Sequence, residues 1–353
     1  MHHDTTWVEV KTSALQANLE AVRGYAGVPV CPVVKANAYG HGLPGTARIF
    51  AESGAEMIAV GRPEEVHTLR DSGFAGRILL MTPALDPEGL DCELTAASSA
   101  DLERIPNGAA VHLKVDTGMG RYGFRPADVI AAATTLGDRA ELKTIWTHFS
   151  GARGEAGTSQ LERFRNVVEE TKKAGLDCEF HAANSRALLT WRGSHFDMVR
   201  VGTLLYGENL SGMKSPFELQ PAFTWYARTT GIRLVRRGEA VGYGGEWSPR
   251  RPTRVATLPI GYADGLTVQP FSRAESLAEA VRVGGGIALL SLGRRPSQRV
   301  VWFGDRPAPI VGRIAMQAIS VSLEGLDDVE VGTPARIPAR RLLVNPSIER
   351  VYV

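Results

Sequence analysis

The strongest constraint on this chain is an alternation. Over its first two thirds, short apolar runs recur at 30–34, 57–60, 77–81, 92–94, 111–115, 142–147, 178–180 and 197–199. Segments with helical spacing separate most of them. One is 63–71, where Val66, Leu69 and Arg70 follow a Pro-Glu-Glu start, the proline and acids expected of a helix N-terminus. Another is 159–174, with Leu161, Phe164 and Val168 on one face. Strands and helices alternating eight times over about 200 residues predict an α/β fold, a (β/α)8 TIM-like barrel. Alternation alone also admits an open doubly wound sheet.

The texture changes after Tyr206. A stretch rich in Gly, Ser and Pro, 210–221, reads as a linker, and β-type runs follow at 223–235, 254–259, 299–303 and 314–321. A short helix is expected at 274–282. The expected organisation is a barrel over residues 1–218 and a mainly β C-terminal domain over 219–353.

Composition narrows the function classes. Forty Lys+Arg against 38 Asp+Glu leave a net charge of +2, so no nucleic-acid or anionic-membrane partner is expected. No apolar run is long enough to cross a bilayer, and no secretory leader is evident. Cys31, Cys92 and Cys178 are odd in number and far apart, which fits neither a disulfide framework nor a zinc cluster and suits a reducing cytoplasm. The 38 glycines predict tight turns or close approach of backbone to a ligand.

The candidate chemistry sits after the strands. Lys35 follows the first apolar run in the string Val34-Lys35-Ala36-Asn37-Ala38-Tyr39-Gly40-His41-Gly42. A desolvated lysine there is a nucleophile for aldehydes; alone, it reads equally as a loop lysine reaching solvent. Arg121 ends the glycine-rich string Asp116-Thr117-Gly118-Met119-Gly120-Arg121 and offers a planar fork to a carboxylate. His148 closes the sixth strand, Asn184 and Ser185 follow the seventh, and Arg200, Gly202 and Thr203 follow the eighth. A barrel brings all of these to one C-terminal rim, where phosphate sites form after strands seven and eight.

The Lys35 and Arg121 strings, with Val241-Gly242-Tyr243-Gly244 and Gly261-Tyr262-Ala263-Asp264-Gly265, resemble the alanine racemase family from about Trp7 to Ile319. The resemblance implies pyridoxal 5'-phosphate, a small amino acid as substrate, and a homodimer whose active sites join the barrel of one subunit to the β domain of the other. Lys35 resembles the Schiff-base lysine and one catalytic base, and Tyr243 the opposite base from the partner subunit. Tyr39, Ser185, Gly202 and Thr203 resemble phosphate-binding positions, with Asn184 beside them. Arg200 resembles the arginine facing the pyridine nitrogen, His181 its support, and His148 the residue against the cofactor ring. Arg121 and Met316 resemble the pair handling the substrate carboxylate. Tyr262 belongs to a supporting motif, and Lys114 matches a lysine carbamylated in some members.

Racemisation removes an α-proton from one face and returns it to the other, which two opposed bases do directly. An arginine at the pyridine nitrogen donates a hydrogen bond without supplying a proton, which weakens the electron sink and is expected to suppress transamination. The resemblance implies cytoplasmic supply of D-alanine for peptidoglycan. Racemisation of serine or of a broad range is the near alternative, and a non-catalytic pyridoxal-phosphate carrier a distant one. Barrel-type decarboxylases carry a cysteine-aspartate pair absent here. Three departures stand out: Gln317 where the family has aspartate, a long stretch at 266–309, and Arg340 or Arg341 near the place of the family's C-terminal tyrosine.

Overall fold

The computed structural model describes residues 5–150, 155–210, 213–266, 281 and 300–353. In chain order the elements are β1 (Thr6–Val10), α1 (Thr12–Ala26), β2 (Val30–Pro32), α2 (Lys35–Tyr39), α3 (Leu43–Glu52), β3 (Met57–Val60), α4 (Pro63–Asp71), β4 (Arg77–Leu80), β5 (Leu94–Ala96), α5 (Ser99–Arg104), β6 (Ala110–Val115), α6 (Val129–Leu136), β7 (Glu141–Thr147), α7 (Glu155–Lys173), β8 (Glu179–His181), α8 (Ser185–Thr190) and β9 (Val199–Val201). Then follow β10 (Phe223–Arg228), β11 (Gly231–Val235), β12 (Thr253–Leu258), β13 (Val300–Phe303), β14 (Arg306–Val311), β15 (Ile319–Ser322), β16 (Pro334–Ile337) and β17 (Glu349–Tyr352).

Strands β2 to β9 form a closed parallel ring. Ladders join β3 to β4 and run through β5, β6, β7 and β8; β9 pairs with β2, and single bridges at Val33–Ala59, Leu79–Glu93 and His181–Met198 complete it. This is the expected barrel. The two-residue period of a strand aims alternate side chains inward. On β2, β3 and β4 these are apolar: Cys31, Val33, Met57, Ala59 and Leu79 cluster with Met198. From β6 to β9 the same parity carries His112, Lys114, Thr144, Trp146, His181 and Arg200, all buried. The interior is therefore half hydrocarbon and half polar. The outer helices cover it with the expected faces, Val66 and Leu69 on α4 and Leu161, Phe164 and Val168 on α7.

The chain divides into two compact units. One holds Lys11–Ala222 with Tyr352–Val353, and the other holds the residues up to Val10 with Phe223–Val351. The second is built on a nine-stranded sheet in the order β11-β12-β15-β14-β13-β16-β10-β1-β17. β1 pairs antiparallel with β10, so the segment preceding the barrel is a strand of the β unit. The expected run 223–235 breaks at Thr229 and Thr230 into two strands, and the run 314–321 becomes a loop followed by β15. The linker at 210–221 is irregular where described and is tied to α1: Asn18 Nδ2 donates to Gln220 O and Gln220 N donates to Asn18 Oδ1, both at 2.8 Å. The helix expected at 274–282 lies outside the described residues except for Val281. Among the described residues, no helix is long and apolar enough to cross a membrane, and no cluster of His, Cys, Asp or Glu has the form of a metal site. The three cysteines are free.

Candidate active site

Lys35 begins α2, which is an unusual turn. Ala36, Asn37, Ala38 and Tyr39 have φ between 52° and 54°, a left-handed turn made without glycine. Each such residue costs roughly 1–2 kcal/mol, so the surroundings must hold the turn in place. Glu65 at the start of α4 does so at one end: its carboxylate accepts from Ala36 N at 2.6 Å, Gly61 N at 2.8 Å and Arg62 N at 3.1 Å. At the other end Asn37 Oδ1 accepts from Leu43 N at 2.8 Å, and Tyr352 Oη donates to the carbonyls of His41 and Gly42. The Tyr352 ring fills the space that a Cβ on Gly45 would need. Tyr39 stacks on Tyr206, with ring centres 4.8 Å apart.

Lys35 opens onto a cavity of about 440 Å³ whose lining includes Gly61, Glu65, Arg121, Trp146 and His148. Burial first, and the positive charge of Arg121 second, lower the Lys35 amine below its ordinary value, with Glu65 opposing. A larger neutral fraction makes it a better nucleophile. His148 is held to about 3 by burial and by Arg200, so its ring is neutral. Asn184 Nδ2 lies 3.3 Å from His148 Nε2 and donates to Phe149 O, while its Oδ1 caps α8.

Arg121 projects from a loop shaped by Asp116. Asp116 Oδ1 accepts from the N–H groups of Gly118, Met119 and Gly120, and the loop is pinched by Asp116 N to Phe124 O and Phe124 N to Lys114 O. Gly123, at φ 136°, is required: a Cβ there would lie 2.4 Å from Asp116 N. Gln160 and Arg163 on α7 donate to the carbonyls of Gly118 and Thr117, bracing the loop from below. Lys114 is 2% exposed and sits between aromatic rings, 4.9 Å from Trp146 and 5.2 Å from Tyr122. Burial and nearby cations bring its pKa down to about 8. Lys35 and Arg121 line the cavity, and the charges of Arg121 and Arg200 reach both Lys35 and Lys114.

Arg200 is buried on β9. Its Nη1 donates to His181 Nδ1 at 2.5 Å and its Nη2 to Thr147 O at 2.7 Å, and its guanidinium lies 4.4 Å from the Trp146 ring centre. Among the described residues its Nε has no partner. Beyond it, Gly202 N donates to Ser185 Oγ at 3.3 Å, and a Cβ on Gly202 would lie 2.3 Å from Tyr39 Oη. Tyr39, Ser185 and Gly202 therefore meet at one place, and Thr203 follows in a short 3-10 turn.

The β unit holds a second set. Tyr243 stands 70% exposed on a turn between Gly242 and Gly244, both at positive φ. A Cβ on Gly242 would approach Arg313 N to 3.3 Å, and Arg313 Nε donates to Glu246 Oε1 at 2.8 Å, so this turn lies on the 312–318 loop. The same loop meets the Tyr262 turn, since Tyr262 N donates to Ala315 O and Ala263 N to Met316 O. Tyr262, Met316 and Gln317 are exposed on these turns. Arg341 is buried and Arg340 exposed in the segment after β16, and Asn345 N donates to Asp264 O there.

The residues that the sequence reading missed are the supports: Glu65, Asp116 and Tyr352. Asp116 begins the glycine-rich Arg121 string, and Glu65 carries only a helix N-terminus signal. Tyr352 has none.

The donor set fits pyridoxal phosphate. Among the described residues the buried Arg200 Nε–H has no partner, which leaves a donor that a ring nitrogen would satisfy, and hydroxyl and backbone N–H groups meet at Tyr39, Ser185 and Gly202, as a phosphate would require. A lysine with a lowered pKa stands on the same rim. Residues 10–210 match the alanine racemase N-terminal domain model and residues 222–350 the alanine racemase C-terminal domain model. The chain belongs to the alanine racemase family. It is 35% identical to an alanine racemase of Symbiobacterium thermophilum over 94% of this chain and 96% of that one. It is also 35% identical to alanine racemase 1 of Bacillus subtilis over 74% and 72%. The alanine racemase of Clostridium difficile 630 superposes with a TM-score of 0.86 at 25% identity, covering 100% of this chain and 97% of that one. The enzyme from the D-cycloserine producer Streptomyces lavendulae gives 0.79 at 28%, covering 100% and 98%.

Proposed function

We propose that this chain interconverts L- and D-alanine with pyridoxal 5'-phosphate, using Lys35 and Tyr243 as bases on opposite faces of the substrate. The observation that carries the reading is the buried Arg200 Nε–H, which lacks a partner among the described residues and stands on a strand whose end lies on the same rim as Lys35. When bound, the cofactor supplies an electron sink that acidifies the substrate Cα–H. Lys35 binds it and moves the α-proton on one face. Tyr39, Ser185, Gly202 and Thr203 hold its phosphate, with Asn184 aligning α8 beside them. His148 packs against its ring and, being neutral, adds no charge to the cationic site. Arg200 offers a hydrogen bond to the ring nitrogen, steadied by His181. Arg121 and the Met316 backbone N–H receive the substrate carboxylate.

Tyr243 moves the proton on the other face. Its exposure, with that of Tyr262 and Met316, supports a homodimer in which a second copy supplies this set to the barrel rim. The buried Lys114, on which Arg121 and Arg200 act more strongly than Asp116, supports carbamylation, since an added carboxylate would offset the surrounding cations. In the cell the enzyme works in the cytoplasm and provides D-alanine for peptidoglycan.

The test is purified protein with pyridoxal phosphate and a panel of L-amino acids, followed by chiral separation of products. D-alanine forms fastest. A faster product from serine or another amino acid would replace alanine as substrate. Cofactor uptake without α-proton exchange on any amino acid would replace the enzyme by a carrier.

A further inference from the structure

Six polar residues, from Arg77 on β4 to Arg200 on β9, form a continuous hydrogen-bonded line across the barrel interior. Arg77 Nε donates to Glu93 Oε1 at 2.5 Å and its Nη2 to Glu93 Oε2 at 3.0 Å. Glu93, just before β5, also faces His112 Nε2 on β6 at 2.8 Å. His112 Nδ1 lies 2.7 Å from Thr144 Oγ1 on β7, and Thr144 Oγ1 lies 2.8 Å from His181 Nε2 on β8. His181 Nδ1 meets Arg200 Nη1 on β9 at 2.5 Å. His112, Thr144, His181 and Arg200 are at most 2% exposed.

The direction of every bond in this line is fixed by chemistry. A guanidinium only donates, so His181 Nδ1 carries no proton. Burial lowers the pKa of both histidines and keeps them neutral, so the His181 proton is on Nε2 and is donated to Thr144. The hydroxyl has one proton, which goes to His112 Nδ1. His112 then donates from Nε2 to the Glu93 carboxylate, which Arg77 holds ionised. Buried charge needs a partner, and among the described residues no carboxylate touches Arg200.

We infer that His112, Thr144 and His181, anchored at the Glu93 carboxylate, are positioning residues which fix where Arg200 aims its free Nε–H. The inference rests on the proposed cofactor site. The line spans the barrel from the Arg77 edge, where that side chain is 48% exposed, to the buried rim. Polarised chains of this kind strengthen each member, so breaking one link weakens the whole.

Two measurements test it. The first is imidazole 15N NMR of the wild-type protein without cofactor, which reads tautomers directly. His112 and His181 are expected neutral and protonated on Nε2. A proton on Nδ1 of either ring overturns the line. The second is the pyridoxal phosphate dissociation constant of wild type, Thr144→Val, Thr144→Ser, Glu93→Gln and the Thr144→Val/Glu93→Gln double variant. Thr144→Val removes the hydroxyl at constant volume and raises the constant roughly tenfold or more; Thr144→Ser restores it. The double variant is expected to bind no worse than the weaker single one, because a cut chain has nothing more to transmit. Wild-type affinity in Thr144→Val, or multiplying effects in the double variant, overturns the proposal. If Glu93→Gln does not fold, the valine and serine variants decide. Failure of the wild type to take up the cofactor would sink the proposed function, and the NMR result would still judge the line.

Discussion

Replacing Lys114 by methionine should stabilise the fold. Lys114 is 2% exposed and has no carboxylate in contact among the described residues. Burial, then Arg121 and Arg200, take it from its ordinary 10.5 down to about 8. At about 1.4 kcal/mol per decade of proton affinity, a gap of roughly 2.5 decades is worth about 3 kcal/mol. Below pH 8 both native and unfolded chains carry the proton, and the native state bears this penalty in full. Between 8 and 10.5 the unfolded chain alone stays protonated, so stability rises with pH; above 10.5 the penalty is gone. Methionine fills a similar volume but loses the contacts of the ammonium with Trp146 and Tyr122, about 1 kcal/mol. The expected net gain at pH 7 is about 2 kcal/mol, shrinking as pH rises. Urea unfolding of cofactor-free protein in CO2-free buffer at several pH values measures it. A methionine variant no more stable than wild type at pH 7, or a difference that does not change with pH, would refute the reasoning. Adding bicarbonate should stabilise the wild type alone if Lys114 takes up a carbamate.

Three further outcomes follow from the site. Glu65→Gln keeps one acceptor oxygen but sets an amide N–H against a backbone N–H, freeing either Ala36 or the Gly61 and Arg62 pair; turnover should fall about tenfold with little change in Tm. Gly202→Ala puts a Cβ where Tyr39 Oη stands, 2.3 Å away, and should weaken cofactor affinity by at least roughly tenfold, read by titration of absorbance. Arg200→Glu should raise keto-acid formation from alanine, because a carboxylic acid can protonate the ring nitrogen where arginine cannot; an unchanged ratio of keto acid to D-alanine would count against that role.

The barrel was legible because each strand is a short apolar run and the helices between them keep a 3.6-residue period. The rim residues were legible because parallel strands all deliver their C-terminal ends to one side. The β unit was less so. β14 contains Pro307 and Pro309, which mask a strand in a propensity reading, and β1 pairs with β10 across more than two hundred residues of intervening chain. The left-handed turn after Lys35 could not be read at all, because Ala36, Ala38 and Tyr39 have no preference for positive φ; tertiary bonds from Glu65 and Tyr352 impose it. The line from Glu93 to Arg200 was equally hidden, since its successive members are 19 to 37 residues apart and only strand register brings them together.

The claim of two opposed bases is tested most directly by α-proton exchange in D2O. Wild type with pyridoxal phosphate should convert either enantiomer of alanine to the other, with deuterium at Cα of the product. Lys35→Ala and Tyr243→Phe should each lose interconversion, and any residual exchange should fall on one enantiomer, the opposite one in each variant. Undiminished racemisation in Tyr243→Phe, or residual exchange of the same enantiomer in both variants, would contradict the account.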